Sequence, residues 1–213
     1  MYLSRLILNP RNRRVQREVA DLYQMHRSLM RAFPDRLEPG EERVLFRLED
    51  HPRLNAFVLL VQSHTFPNWS WLAEPGARGY LLPVDEPNPA VKSFDLRLAP
   101  GQVLVFRLRA NPTVKRNGKR LGLYREEEQR EWLLRKAEQA GFRVLAARIG
   151  GQRLVEGTIH RDGATHRLRM LSVQFDGFLE VTDPDRLWEA VRRGIGSGKA
   201  LGFGLLSLAR PRV

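Results

Sequence analysis

The sequence predicts an α+β protein made of two ferredoxin-like domains in tandem, each with a βαββαβ element order. β-prone runs and amphipathic helical segments follow one another in this order twice along the chain. A polar, proline-bearing segment over 85–89 separates the two series, as is typical of a domain boundary. The length of 213 residues suits two domains of about 100 residues each. We therefore predict domains at 1–88 and 89–213.

The first domain is predicted to begin with a strand over 2–8, which ends where Pro10 lacks a backbone donor. One long amphipathic helix is predicted from about 12 to 33, because apolar residues recur there at steps of three and four. This apolar face consists of Val15, Val19, Leu22, Leu29 and Phe33, with the polar His26 at the intervening position. The remaining predicted elements are strands over 43–48 and 56–61, a loop or short helix over 66–79, and a strand over 80–84.

The second domain is predicted to repeat the order. A basic connection over 109–120 contains Asn117-Gly118, a pair that favours a tight hairpin turn. A helix over 126–140 is predicted to stop at Gly141, and another to open at Asp183 and end at Arg193. The predicted strands are 94–98, 103–108, 144–149, 154–160, 167–175 and 205–208.

The charge balance indicates an anionic partner. The chain has 36 Lys and Arg residues against 24 Asp and Glu, a formal net charge of +12. Residues 1–100 contain 14 basic and 12 acidic side chains, whereas residues 101–213 contain 22 and 12, so most of the excess lies in the second half. Of the basic residues 31 are arginine, which suits bidentate phosphate contacts. Nucleic acid is the expected partner; the alternative is a compositional bias without function.

Other compositional features exclude several classes of protein. The absence of cysteine excludes disulfide frameworks, zinc fingers and thiolate nucleophiles. No apolar run reaches the roughly 18 residues of a membrane span, and the N-terminus lacks the order of a secretory signal. We expect a soluble, cytoplasmic protein with no membrane partner and no cofactor.

A glycine-rich segment over 194–204 is the most specific local motif. Glycines there allow the backbone to approach a phosphate chain and to present its N–H groups. The predicted RNA-binding residues of this segment are Gly194, Gly196, Gly198, Lys199, Gly202 and Gly204. The spacing does not fit a Walker A loop or a dinucleotide fingerprint. The structural alternative is a helix C-cap followed by a tight packing loop.

Tyr23 and His26 form the candidate catalytic pair. Three residues apart on a helix, their side chains lie on one face and can reach one phosphodiester together. Arg27 and Arg31 lie beside them and are predicted to contact RNA. The structural alternatives are a satisfied core histidine and a solvated arginine face.

Taken together, these residues resemble a known family. The repeated glycine–hydrophobic–glycine pattern is similar to that of the RAMP superfamily of CRISPR-associated RNA-binding proteins. The start MYLSRLIL and the pair Tyr23 and His26 resemble the CasE-type precursor-RNA endoribonucleases of the Cascade complex. The resemblance covers the whole chain. It implies cleavage of CRISPR precursor RNA at a repeat hairpin, retention of the mature guide RNA, and other Cascade subunits as partners.

The expected chemistry needs neither a protein nucleophile nor a metal. RNA supplies its own nucleophile, the 2′-hydroxyl, and His26 titrates near neutral pH. We predict general acid–base catalysis that gives a 2′,3′-cyclic phosphate (or 3′-phosphate) and a 5′-hydroxyl. The other four histidines, His51, His64, His160 and His166, lack metal-ligand spacing, so no metal site is predicted.

A run of basic residues from 107 to 120 is predicted to form a projecting hairpin that grips the RNA stem. The predicted RNA-binding residues of this run are Arg109, Lys115, Arg116, Lys119 and Arg120, with Arg161, Arg167 and Arg169 as a second patch. The alternative is a solvated loop.

Two other functions stay open from sequence. One is a non-catalytic subunit that only holds guide RNA, which would have no need of Tyr23 and His26. The other is an RNA-recognition-motif protein, since that module is also ferredoxin-like, but the Lys/Arg-Gly-Phe-type aromatic motif that it requires is absent.

Overall fold

The computed structural model describes residues 1–34, 43–161 and 164–211, with the backbone alone for 159–161 and 164–166. The strands are Tyr2–Leu8 (β1), Leu45–His51 (β2), Ala56–Ser63 (β3), Ala90–Ser93 (β4), Val103–Ala110 (β5), Thr113–Arg116 (β6), Lys119–Gly122 (β7), Phe142–Arg161 (β8), Ala164–Val181 (β9) and Leu206–Ala209 (β10). The α-helices are Arg13–Ala20 (α1), Leu22–Met30 (α2), Glu126–Gln139 (α3) and Pro184–Arg193 (α4). Short 3₁₀ turns cover Pro52–Leu54, Trp69–Ala73, Pro75–Ala77 and Lys199–Leu201.

The chain forms two compact units. The N-terminal unit contains Met1–Asp95, Glu156–Leu168 and Ala200–Gly202. The C-terminal unit contains Leu96–Val155, Arg169–Lys199 and Phe203–Val213. The domain boundary after residue 88 stays a prediction.

The N-terminal unit contains a four-stranded sheet in the order β2-β3-β1-β4. The central strand β1 pairs antiparallel with β3 on one side and with β4 on the other. Directly opposed Leu6 and Leu59 are both fully buried. From α2, Met25 and Leu29 join the buried apolar core of this unit.

The C-terminal unit repeats this arrangement with the sheet order β10-β5-β9-β8. Helix α3 follows β5 and helix α4 follows β9, so the unit has the full βαββαβ order. Its core includes the stacked rings of Trp132 and Phe175, 5.8 Å apart, together with Leu187 of α4. The predicted α+β class of two ferredoxin-like domains in tandem is confirmed.

The prediction of one long helix over 12–33 is wrong. The backbone is extended at Asp21, with φ −129° and ψ 93°, and separates α1 from α2. Asp21 accepts hydrogen bonds from the N–H groups of Tyr23 and Gln24, at 3.0 and 3.3 Å, and so caps α2. Apolar spacing continues across such a break, which is why periodicity alone did not detect it.

Two predicted strands are also wrong. Over 80–84 only Leu81 makes a bridge, to Leu8, because Pro83 has no N–H with which to continue a ladder. The fourth strand is β4 instead. The segment 94–98 is not a strand, although its first residue, Phe94, donates a backbone hydrogen bond to the carbonyl of Met1.

The strands predicted over 144–149 and 154–160 are a single strand, β8, which continues through Gly150 and Gly151. The predicted hairpin turn is confirmed, since Asn117 and Gly118 both have positive φ, 48° and 76°. The helix predicted over 126–140 and the helix opened by Asp183 are confirmed as α3 and α4.

A buried polar cluster joins α1 to α2 in the N-terminal unit. The carboxylate of Glu18, 4% exposed, accepts hydrogen bonds from Arg14 (2.8 Å), Ser28 (2.6 Å) and the Tyr80 hydroxyl (2.5 Å). Burial and the neighbouring Glu18 carboxylate raise the pKa of the Tyr80 hydroxyl, so it stays a donor. Because Ser28 belongs to α2, the cluster fixes the helix that contains Tyr23 and His26.

In the described part of the chain, no helix combines the length and the apolarity that a membrane crossing requires.

Candidate active site

Asp21 fixes the start of α2 through both of its carboxylate oxygens. One carboxylate oxygen caps the helix, and the other accepts a hydrogen bond from the backbone N–H of Thr158 at 3.1 Å. Gly157 packs closely against the start of α2. A Cβ at position 157 would be 3.3 Å from Cβ of Tyr23 and 2.6 Å from Leu201. A single carboxylate therefore fixes the position of α2 against strand β8.

Tyr23 and His26 face the same side of α2, as the sequence predicted. Their ring centroids are 6.2 Å apart and the ring planes are inclined by 43°. Both side chains are half-buried, so each has a partly accessible surface. The two groups are close enough to contact one phosphodiester.

The imidazole of His26 is in an apolar setting. Its ring stacks on Phe46 of β2, with centroids 6.2 Å apart and planes within 13° of parallel. Nδ1 is buried and has no hydrogen-bond partner among the described residues. Burial lowers the pKa of His26 below its ordinary value of 6.5, because loss of water disfavours the charged form. Burial therefore favours the neutral imidazole in the RNA-free protein.

Gly202 of the glycine-rich segment lies against Phe46. A Cβ at Gly202 would be 3.0 Å from Cε2 of Phe46, and its φ is +75°. Glycine is thus required here both by the backbone and by the ring that supports His26. All of these residues belong to the N-terminal unit.

The two arginines beside the pair differ in their contacts. Arg27 is exposed and makes one long hydrogen bond, 3.5 Å, to Gln24. Arg31 donates to both carboxylate oxygens of Glu74 at 2.7 Å and lies 5.1 Å from the ring centroid of Trp71. Arg27 is therefore the more available of the two for a phosphate.

The other glycines of the segment have internal contacts in the C-terminal unit. All have positive φ, as does Gly194 at the end of α4. A Cβ at Gly204 would be 2.8 Å from the carbonyl oxygen of Ile195, and one at Gly198 would be 2.7 Å from Phe203. At Gly196 a Cβ would be 3.2 Å from Trp132, and Lys199 donates to the Gly196 carbonyl at 2.7 Å. These contacts agree with the packing alternative; RNA contact by this segment stays a prediction.

The basic hairpin, β6 and β7, presents four cationic side chains. They are Lys115, Arg116, Lys119 and Arg120, and all four are exposed. Within the described part of the chain, none of them forms a side-chain hydrogen bond or an ion pair. Their charge is therefore uncompensated, as a phosphate-binding surface requires.

Arg109 does not lie on this surface. It is 4% exposed and its Nε donates to the hydroxyl of Ser172 at 2.8 Å, while its guanidinium lies 5.8 Å from the Phe203 ring. The sequence placed it with the hairpin because it is close along the chain, but it belongs to β5 and points into the unit.

The second predicted patch belongs to β8 and β9. Arg167 and Arg169 alternate with Leu168 on β9, and both are exposed. Arg161 ends β8, and its side chain lies outside the described residues, as do those of His160 and His166.

The described residues contain no group of three or more His, Asp or Glu side chains that could hold a metal ion. Nδ1 of His51 instead accepts a hydrogen bond from the N–H of Leu54 at 3.2 Å, within a turn.

The sequence did not single out Asp21, Phe46 or Thr158. Phe46 and Thr158 are far from α2 along the chain, and only the tertiary fold brings them to it. Asp21 had a readable feature, since an acidic residue two positions before Tyr23 is a common helix cap.

Comparison with known proteins agrees with this geometry. A family model described as "CRISPR associated protein" matches residues 1–210. The chain belongs to this CRISPR-associated family. The curated relatives of this CRISPR-associated protein include the CRISPR-associated endoribonuclease Cse3 of Thermus thermophilus, 43% identical over 219 residues, covering 98% of this chain and 100% of the relative.

A second relative of this CRISPR-associated protein is the CRISPR system Cascade subunit CasE of Escherichia coli K12, 32% identical over 222 residues and covering 98% and 99% of the two chains. Among solved structures, Thermus thermophilus Cse3 bound to an RNA representing a pre-cleavage complex has a TM-score of 0.84. It is 41% identical and the match covers 98% of each chain. The predicted resemblance to CasE-type endoribonucleases is confirmed.

Proposed function

We propose that this chain is an endoribonuclease that cleaves CRISPR precursor RNA at the repeat hairpin and gives mature guide RNA. The observation that carries the proposal is the similarity over the full length to the endoribonuclease Cse3, at 43% identity. The position of Tyr23 and His26 on one face of α2 supplies the chemistry that this reaction needs.

The reaction begins with attack of the RNA 2′-oxygen on the adjacent phosphorus. This step forms the O2′–P bond, breaks the bond from phosphorus to the 5′-oxygen, and leaves a 2′,3′-cyclic phosphate and a 5′-hydroxyl. Because the 2′-hydroxyl is the nucleophile, the step requires proton transfer and charge stabilisation and can proceed without a metal ion.

His26 is assigned as the main proton-transfer residue. Its neutral form, favoured by burial, can accept the 2′-hydroxyl proton, and the leaving 5′-oxygen takes up a proton from the imidazolium so formed or from the Tyr23 hydroxyl. The exchange takes place at Nε2, because Nδ1 is buried. Tyr23 orients the reacting groups or donates to the phosphate, and Arg27 supplies positive charge to the phosphate oxygens.

The basic hairpin is assigned to the RNA stem, together with Arg167 and Arg169 of β9. Two short strands with four exposed cations can follow a duplex and contact its phosphates. The product is retained as guide RNA within Cascade, in agreement with the similarity to the Cascade subunit CasE. The assigned compartment is the cytoplasm.

His26→Ala tests the assignment. The variant should cleave a labelled repeat hairpin about 10²–10⁴-fold more slowly, the usual range for a general acid–base group, and should bind it nearly as tightly. Single-turnover rates and binding constants are measured on the same RNA. Cleavage at the wild-type rate would remove His26 from the mechanism, and tight binding without cleavage by the wild type would favour a guide-RNA-binding subunit.

A further inference from the structure

A cavity of about 430 Å³ lies in the C-terminal unit, at the base of the basic hairpin. Its lining comes from Asn111, the two hairpin strands that follow it, helix α3 and the glycine-rich segment. Its charged lining residues are Lys115, Arg120 and Lys136. Lys136 has no place in the reaction described above, and the sequence did not indicate it as an RNA-binding residue.

The cavity has an unbalanced charge. Among the residues that the structure describes, no carboxylate belongs to its lining. In the part of the chain that the structure describes, none of the three cations takes part in an ion pair. The ammonium of Lys136 donates to the neutral amide of Gln139, at 2.9 Å. Three positive charges directed at one space repel one another, and an anion bound there would remove the repulsion.

A neighbouring cavity shows the opposite arrangement. It measures about 280 Å³ and lies on the other side of Lys136, between α3 and α4. Its arginines are Arg186 and Arg193, which pair with Asp183 and Glu189 respectively. Within the described part of this unit, therefore, the arginines of one cavity are paired with the protein's own carboxylates, whereas the cations of the other, including the Lys136 that lines both, are not.

The lining of the larger cavity also has the polar groups that an oxyanion requires. Asn111, Thr113 and Ser197 contribute an amide and two hydroxyls. Its volume falls within the 300–1,000 Å³ range of small-molecule sites, so it can hold a phosphate with an attached sugar.

We propose that this cavity binds a phosphate group, with Lys136 as its anchoring cation. The source of the phosphate is either the RNA backbone or a mononucleotide. Binding of an RNA phosphate rests on the proposed function, because the contact between the hairpin and the RNA would then continue as far as α3. Binding of a mononucleotide is independent of the proposed function.

Lys136→Gln tests the proposal, and Arg135→Gln is the matched control. Arg135 is the preceding residue on α3, is exposed and does not line the cavity. Affinity for repeat-hairpin RNA is measured over a range of salt concentrations. Removal of one phosphate-binding cation should reduce the slope of log K against log salt by about 0.7 to 0.9 in Lys136→Gln and leave it unchanged in Arg135→Gln.

A second arm uses adenosine monophosphate and inorganic phosphate as probes, with the thermal midpoint as readout. Stabilisation of the wild type and of Arg135→Gln, but not of Lys136→Gln, together with an unchanged RNA slope would identify a mononucleotide as the source. Circular dichroism establishes that the variants are folded. An unchanged slope and an unchanged response to both probes in Lys136→Gln would overturn the proposal.

The same experiment tests the proposed function separately. Wild-type protein that cleaves the hairpin, combined with a Lys136→Gln variant that behaves like the control, would contradict only the cavity proposal. Wild-type protein that neither binds nor cleaves would contradict the proposed function, and the mononucleotide arm would still decide the cavity.

Discussion

The imidazole of His26 lies nearly parallel to the ring of Phe46, with the two centroids 6.2 Å apart. Phe46 in turn is the ring against which Gly202 packs. A residue near the C-terminus of the chain thereby influences the place of a side chain near the N-terminus, through one shared aromatic ring. Gly202 therefore packs beside the candidate catalytic pair, whether or not it also contacts RNA.

The first prediction concerns the pKa of His26. Nuclear magnetic resonance titration of the RNA-free protein should give a value below 6.5, because burial disfavours the imidazolium. Phe46→Ala should raise it towards 6.5 by admitting water. Phe33→Ala is the control, since Phe33 is also a buried aromatic residue but contacts Trp69 rather than His26. A wild-type value at or above 6.5 would contradict the apolar setting of the ring.

The sign of the pH effect on stability follows from the same pKa. The unfolded chain binds a proton at His26 below pH 6.5, whereas the folded chain does so only at lower pH. The contribution of His26 to the free energy of unfolding is therefore fully present above pH 6.5 and declines as the pH falls towards the folded-state pKa. His26→Ala should remove this part of the pH dependence, as measured by denaturant unfolding at several pH values.

The second prediction concerns Gly202. Gly202→Ala and Gly101→Ala both place a side chain at positive φ, 75° and 77°, and each should cost about 1–2 kcal/mol of stability. A Cβ at Gly101 meets nothing within 4 Å, whereas one at Gly202 meets Phe46. Only Gly202→Ala should therefore also slow cleavage, by up to about 100-fold through displacement of His26. Equal cleavage rates in the two variants would show that Gly202 does not influence the candidate active site.

The third prediction compares two helix caps. Asp21 caps α2, and Asn12 caps α1 by accepting from the N–H groups of Arg14 and Val15. Each alanine variant should lose about 0.5–2 kcal/mol of stability, measured by denaturant unfolding. Asp21→Ala should in addition lower the cleavage rate, because Asp21 also ties α2 to Thr158. If Asn12→Ala slowed cleavage as much, the effect would be one of general stability.

The elements predictable from sequence were those encoded by neighbouring residues. The cap at Asp183, the turn at Asn117-Gly118 and the helix stop at Gly141 each depend on a few adjacent side chains. The wrong strand predictions concern partners distant along the chain, whereas the missed helix break at Asp21 is a local cap that the continuous apolar spacing concealed. The strand at 90–93 exists because β1 offers it an edge, and the segment around Tyr80 is fixed by a hydrogen bond to Glu18.

In the candidate site, too, some residues could be predicted from local sequence and others could not. Tyr23 and His26 are recognisable because their spacing of three residues places them on one helix face. Phe46 and Thr158 come from strands whose approach to α2 is a property of the tertiary fold. The burial of Arg109 could not be predicted either, because charge along a sequence does not reveal which face of a strand points inward.

The fourth prediction concerns the basic hairpin. Replacement of Lys115, Arg116, Lys119 and Arg120 by glutamine should weaken RNA binding and flatten its salt dependence, by about 0.7 to 0.9 in slope for each phosphate that the variant no longer neutralises. Binding measured over a range of salt concentrations checks this. Replacing Arg143 and Arg193, which already pair with Glu180 and Glu189, should have a smaller effect. An unaltered slope in the hairpin variant would place the RNA stem elsewhere.

Cleavage by the substrate's own hydroxyl is tested most directly with a labelled repeat hairpin in excess EDTA, next to the same RNA with one 2′-deoxy nucleotide at the cut site. The expected result is cleavage of the first RNA in EDTA, with 2′,3′-cyclic phosphate and 5′-hydroxyl ends, and none of the second. Loss of cleavage in EDTA, or cleavage of the 2′-deoxy RNA at the same position, would contradict the assignment of Tyr23 and His26 to metal-independent acid–base catalysis.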